Sequence, residues 1–177
     1  VHVQKSDLLA IGIALGPGSF TGLRVGMSVA KGLAYGCNIP IVGVPTLDAV
    51  ASAQAHQPLT IWAIISAGRG RFSVARYVPR HGTVKRNGAY ALVDATGMID
   101  LVSRDSEKSP RAKGAVSVFF CGDIDAMLKT KLNESFSHAV VASPAHNTRR
   151  AGFLAELAWA RFQRGETITA QPVGRYG

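Results

Sequence analysis

An apolar run of strand length, LLAIGIAL (residues 8–15), stops at Gly16-Pro17-Gly18 and gives way to Ser19-Phe20-Thr21 and a long apolar stretch ending at Gly36. This order constrains the fold more than any other feature of the chain. Two glycines and a proline break a strand, and Ser19 or Thr21 offers an N-cap for a helix over residues 20–36. Gly36 and Asn38 end that helix, and IPIVGV (39–44) reads as a buried strand. Thr46 then caps a second helix through TLDAVASAQA. Strand, helix, strand, helix in this order implies an α/β fold, with a parallel sheet and helices against it.

Near Pro58 the texture changes. LTIWAIISA and RFSVARYV alternate around Gly68-Arg69-Gly70 as a β-hairpin would, and AYALVDA and SVFFCGD are further strands separated by a polar, basic loop. DIDAMLKTKLN reads as a short helix and HAVVAS as a last strand. TRRAGFLAELAWARFQRGE closes the chain as an amphipathic helix, with Phe153, Leu154, Leu157, Ala158 and Arg161 on its spacing and Gly165 as the stop. The simplest organisation is two α/β lobes, residues 1–57 and 58–177, the closing helix belonging to the second.

The net charge of +9 is uneven. Residues 1–57 carry Lys5, Arg24 and Lys31 against Asp7 and Asp48, a balance of +1, so +8 falls on the rest. It concentrates in GRGRFSVARYVPRHGTVKR and SRDSEKSPRAK, with Phe72 and Tyr77 interleaved. Such clusters can track a phosphate backbone or can be a solvated surface, and composition leaves both readings open. No run reaches the roughly 20 apolar residues that a membrane helix needs. The opening residues lack a secretory pattern, since Asp7 interrupts them. Cys37 and Cys121 have no metal-ligand spacing and read as reduced, cytoplasmic thiols.

The glycine-rich turn is not a Walker A loop, which would close on Lys-Ser or Lys-Thr where this chain has Thr21-Gly22-Leu23. Its glycines also miss the dinucleotide fingerprint by one residue. Free amides at a helix start can still hold an anion, so Gly16, Gly18 and Ser19 are candidate nucleotide-binding residues. In the helix, a wheel at 100° per residue gathers Gly22, Gly26, Val29, Ala30 and Leu33 on one side, with Arg24, Ser28, Lys31 and Tyr35 opposite. Glycine inside a helix costs roughly 1 kcal/mol relative to alanine, so this rhythm calls for close approach by something. It is either the protein's own sheet or another chain. His2, His56, His81, His138 and His146 show no ligand spacing. No Ser-His-Asp order supports hydrolysis, and hydroxyls at a helix start usually cap.

GPGSFTGLRVGMSVAKGLAYGCNIPIVGVPTLDAVA closely resembles the signature region of the TsaB (YeaZ) family of tRNA threonylcarbamoyladenosine biosynthesis proteins, and looser similarity runs on to FLAELAWARFQRGE. The resemblance implies two lobes of the actin-like ATPase (ASKHA, RNase H-like) fold. It implies a non-catalytic scaffolding subunit, dimerising with a TsaD-type catalytic subunit that transfers threonylcarbamoyl to adenosine 37 of tRNA. A TsaE-type ATPase, a homodimer, and ATP or ADP at a shared interface belong to the same expectation; a membrane does not. The alternative is a glycoprotease of the M22 type, a label some relatives have carried, or a stand-alone nucleotide-binding enzyme.

In the catalytic relatives the segment matching PTLDAV carries H-x-E-x-H, whose histidines hold a metal. Here Thr46 and Val50 stand at those positions with Asp48 between them, and valine cannot ligate a metal, so metal-dependent catalysis by this chain is not expected. Three departures accompany the resemblance. A strand bearing Asp-Thr-Ser and a helix, roughly fifty residues by the family pattern, are expected before LLAIGIAL and are not in the sequence, so the first lobe is expected to be incomplete. The family's hairpin Asp-Ala-Arg-x-Gly-Glu appears as Ser66-Ala67-Gly68-Arg69-Gly70-Arg71, exchanging two carboxylates for a cation. The tail reads QPVGRYG where Tyr-Leu-Arg is usual.

Overall fold

The computed structural model describes residues 4–107 and 117–168. The end of the basic segment SRDSEKSPRAK, the tail QPVGRYG and His2 lie outside the described residues. The chain forms two compact units. One comprises the residues up to Thr46 and those from Arg150 on; the other is Leu47–Arg149.

The first unit is built on two parallel strands, β1 (Ile11–Ala14) and β2 (Ile41–Val44), paired Ile11 to Ile41 through Ala14 to Val44. Helix α1 (Phe20–Cys37) connects them. Its inner face, Ala30 and Ala34, packs with Ile11, Ile13 and Ile41. Because side chains alternate along a strand, Gly12, between Ile11 and Ile13, faces the other way. There the C-terminal helix (Ala151–Gln163) lies across Gly12, where a β-carbon would come within 2.7 Å of Ala158 Cβ and 3.3 Å of Leu154. Arg161 Nη1 of the same helix donates to the Gly43 carbonyl at 2.8 Å. Ile41 and Ile168 form an isolated antiparallel bridge on the outer side of β2.

The second unit holds a six-stranded mixed sheet. Its strands are β3 (Thr60–Gly68), β4 (Arg71–Arg80), β5 (Thr83–Arg86), β6 (Ala91–Asp94), β7 (Ser117–Gly122) and β8 (His138–Val141). They run in the order β5-β4-β3-β7-β8, with β6 also on β4. β3, β7 and β8 are parallel, and the pairs made by β4 are antiparallel. Period-2 alternation on β3 and β4 feeds two cores. Ile61, Ala63, Ile65, Ala75 and Tyr77 pack with Leu47 and Ala51 of α2 (Thr46–Ser52). Trp62, Ile64 and Val74 pack with Met98 and Val102 of α3 (Ala95–Glu107) and with Leu128 and Leu132 of α4 (Ala126–Ser135).

This division differs from the expected boundary near residue 58. The chain leaves the first unit after Thr46, and the closing helix, α5 (Ala151–Gln163), returns to β1 and β2 instead of joining the second lobe. The physical reason is Gly12, whose missing side chain lets α5 approach the strand. Three elements were not expected from the sequence: a single 3-10 turn at Lys5–Asp7, β5, and α3 where a polar loop was read. Among the described residues no helix is long and apolar enough to cross a membrane.

Candidate partner interface

The turn between β1 and α1 is held locally. Ser19 is the N-cap of α1, its Oγ accepting from the Gly22 amide at 3.3 Å, and its carbonyl accepts from the Leu23 amide at 2.9 Å. The Gly16 carbonyl accepts from the Thr46 amide at 2.9 Å. Leu23 fills the space beside the turn, 3.1 Å from where a β-carbon of Gly16 would sit and 3.8 Å from that of Gly18. The structure therefore brings Gly16, Gly18 and Ser19 together, and gives each a packing or capping task.

The five interface candidates on α1 do not share one face. Ala30 is only 4% exposed and belongs to the core of the first unit, and a β-carbon on Gly26 would lie 3.9 Å from Ile13 Cδ1. Ala30 thus sits on the inner face, where a small residue lets the helix settle on its own sheet, with Gly26 half-buried at its margin. Gly22, Val29 and Leu33 are exposed, together with Val25, Gly32 and Gly36. Phe20, Val25, Val29 and Leu33 are 73, 58, 56 and 53% exposed. A shallow groove of about 390 Å³ runs along Phe20, Thr21, Arg24, Val25, Ser28 and Val29. The Arg24 guanidinium lies 5.2 Å from the centre of the Phe20 ring, and Ser28 Oγ donates to the Arg24 carbonyl at 3.0 Å.

Sequence reasoning missed Phe20 and Val25. The signal was present: Val25, Val29 and Leu33 recur every four residues, which aligns them along one side of a helix. The glycine rhythm drew attention about 60° away around the helix.

Asp48 sits in a network that the sequence did not reveal. Its Oδ1 accepts from the Tyr77 hydroxyl at 2.7 Å and from the Tyr90 hydroxyl at 3.0 Å. Burial first, and then the Asp48 hydrogen bond, hold the Tyr77 phenol well above its ordinary pKa. Tyr90 is raised as well, by burial and by the Asp48 charge. The carboxylate between Thr46 and Val50 thus organises phenols. Among the described residues no three His, Cys, Asp or Glu side chains converge as a metal site. His56, His81, His138 and His146 are all exposed.

The family model "TsaD: tRNA N6-adenosine threonylcarbamoyltransferase" matches residues 1–168. The tRNA threonylcarbamoyladenosine biosynthesis protein TsaB of Bacillus subtilis is 38% identical over 84 residues, covering 48% of this chain and 37% of that protein. The TsaB protein of Haemophilus influenzae is 46% identical over 67 residues, covering 37% of this chain and 28% of its own length. The matched stretch thus spans about a third of these curated relatives. The solved structure of YeaZ from Pseudomonas aeruginosa superimposes with a TM-score of 0.70 at 24% identity, covering 96% of this chain and 74% of that one.

Proposed function

Since the chain belongs to the TsaD family of tRNA N6-adenosine threonylcarbamoyltransferases, with an actin-like α/β fold, we propose that it acts in tRNA threonylcarbamoyladenosine biosynthesis as a non-catalytic subunit that docks a TsaD-type catalytic subunit through the outer face of α1. The observation that carries this reading is the row of Val25, Val29 and Leu33, each more than half exposed at four-residue spacing on one long helix, with the exposed Phe20 at its start. Water-exposed apolar side chains at helical spacing gain free energy when a second surface covers them, roughly 1.5–3 kcal/mol for each side chain fully buried. The names of the TsaB relatives support the pathway. The phenol-bound Asp48, beside a valine that cannot ligate, supports a chain that leaves metal chemistry to its partner.

A TsaE-type ATPase and the tRNA substrate belong to the assembled complex in this reading, with the cytoplasm as its compartment. ATP or ADP would sit at a shared interface near Gly16, Gly18 and Ser19, using amides the cap leaves available. A titration of the assembled complex with ATP checks that last element, and no saturable binding would remove it.

Co-purification with a TsaD-type subunit tests the docking face. Val29→Asp combined with Leu33→Asp places two charges on the outer face and leaves Ala30 and Ala34 untouched. The double variant is expected to keep the wild-type circular dichroism and to weaken capture by at least about a hundredfold, the equivalent of roughly 2.7 kcal/mol. Undiminished capture would show that the partner sits elsewhere. Self-association that is lost in the double variant, without any capture of the catalytic subunit, would show a homodimer face.

A further inference from the structure

We infer that the β3–β4–β5 edge of the second unit is an RNA-backbone contact surface, carried by Arg69 and Arg71 at one end and by Arg80, Lys85 and Arg86 at the other. The identity of the polyanion rests on the tRNA-modification reading above; the surface itself does not. Between Asp48 and Asp94 the sequence contains no Asp or Glu and six Lys or Arg residues. The fold collects all six on β4, β5 and the β3–β4 turn. Arg76 is taken by Asp105, with Nε 2.6 Å from Oδ2. Arg69, Arg71, Arg80 and Lys85 are exposed and form no ion pair with any described residue.

The arrangement selects a polymer over a small anion. β4 carries its cations at both ends, Arg71 and Arg80, and ten residues of strand span on the order of 30 Å. No single phosphate reaches both. At the far end Val78 pairs with Lys85 and Arg80 with Thr83, which puts Arg80 and Lys85 at diagonal positions on one face of the edge strands. On the opposite face the Arg86 guanidinium stacks 4.2 Å from the centre of the exposed Tyr90 ring, a pairing that offers a flat surface to an unstacked base. Among the described residues from 66 to 88 there is no exposed large hydrophobic side chain, and the exposed Tyr90 beside them is tied by its hydroxyl to Asp48 and by its ring to Arg86. A membrane surface would need one to insert.

Backbone geometry adds an independent observation. Both hairpin turns run through consecutive residues at positive φ: Gly68 (74°), Arg69 (54°) and Gly70 (69°) in one, His81 (47°) and Gly82 (76°) in the other. Asn, Asp or Gly is the less strained choice at the positions held by Arg69 and His81. The chain holds a cation and a titratable ring there instead, at the tips where the sheet meets its surroundings.

The test measures binding of unmodified tRNA to the full chain by fluorescence anisotropy over a series of salt concentrations. Arg80→Ala/Lys85→Ala is expected to weaken binding at least about tenfold at low salt. It should also reduce the slope of log K against log salt by about 1.4–1.8, the value for two lost phosphate contacts. Arg69→Ala/Arg71→Ala should act in the same direction. Lys129→Ala/Lys131→Ala, on the exposed side of α4, should leave the slope unchanged. Equal losses from the hairpin and α4 variants would overturn the proposal, as would preference for vesicles of anionic phospholipid over tRNA. Capture of the TsaD-type subunit is followed in the same variants. Intact capture with a salt slope indifferent to the hairpin overturns only the RNA surface, whereas absent capture with a hairpin-dependent slope overturns only the subunit reading.

Discussion

Single side chains in the second unit carry tasks disproportionate to their size. Tyr77 is 1% exposed, and its hydroxyl ends on Asp48. Folding raises the pKa of this phenol, so its contribution to stability is intact below the ordinary tyrosine value near 10 and drains away as the pH climbs past it. Tyr77→Phe is expected to cost about 1–2 kcal/mol at pH 8 through the lost hydrogen bond to Asp48. The variant should then lose less further stability than the wild type between pH 8 and 11, which urea melts at the two pH values would measure. Gly122 is tighter still. Its φ is 107°, and a β-carbon there would run into the Ile64 carbonyl oxygen. Gly122→Ala should therefore destabilise by more than about 2 kcal/mol, seen as a lower urea midpoint. The two thiols separate by burial. Cys121 is buried and its thiol is pushed up to about 12, while Cys37 is partly exposed. Iodoacetamide at pH 8 should label Cys37 in the native protein and reach Cys121 only after denaturation.

At the scale of elements, α1 shows what a sequence conveys and what it withholds. An apolar run, a glycine-proline break and a serine cap are local signals, and the strand, the turn and the helix stand where those signals place them. Which side of the helix meets the sheet is not local. Gly22 and Gly26 look alike in sequence, yet one is open to solvent and the other faces Ile13, because the direction of β1 decides. Helix α3 was illegible for a different reason. Met98 and Val102 are fully buried, but only a narrow stripe of ATGMIDLVSRDSE is apolar, and the polar residues around it read as loop. Its start is fixed by Asp94, whose Oδ1 accepts from the Gly97 amide at 2.7 Å. Asp94→Ala is expected to lower stability by about 1 kcal/mol, measurable by thermal melting, with Asp94→Asn recovering most of it. The exposed apolar row on α1 was legible in principle from the four-residue spacing of Val25, Val29 and Leu33. The Asp48–Tyr77–Tyr90 cluster was not, since 29 and 42 residues separate the partners along the chain.

For the whole molecule, each unit contains one of the two tryptophans: Trp159 on α5 in the first, Trp62 on β3 in the second. Trp62→Phe and Trp159→Phe variants therefore report the units separately by fluorescence. Gly12→Val, which would overlap Ala158, is expected to shift the transition reported by Trp159 by about 2 kcal/mol or more. The transition reported by Trp62 should move far less.

The first unit takes its residues from both ends of the described chain, leaving off after Thr46 and resuming at Arg150. On a ribosome, β1, α1 and β2 emerge early, but the helix that covers Gly12 is made only after the second unit has been synthesised. Domains ordinarily fold in the order in which they leave the exit tunnel. Here that order is expected to invert: α5 can close over Gly12 only after the second unit has been made and has had time to fold. Nascent chains stalled before Arg150 should for that reason be a preferred target for chaperones.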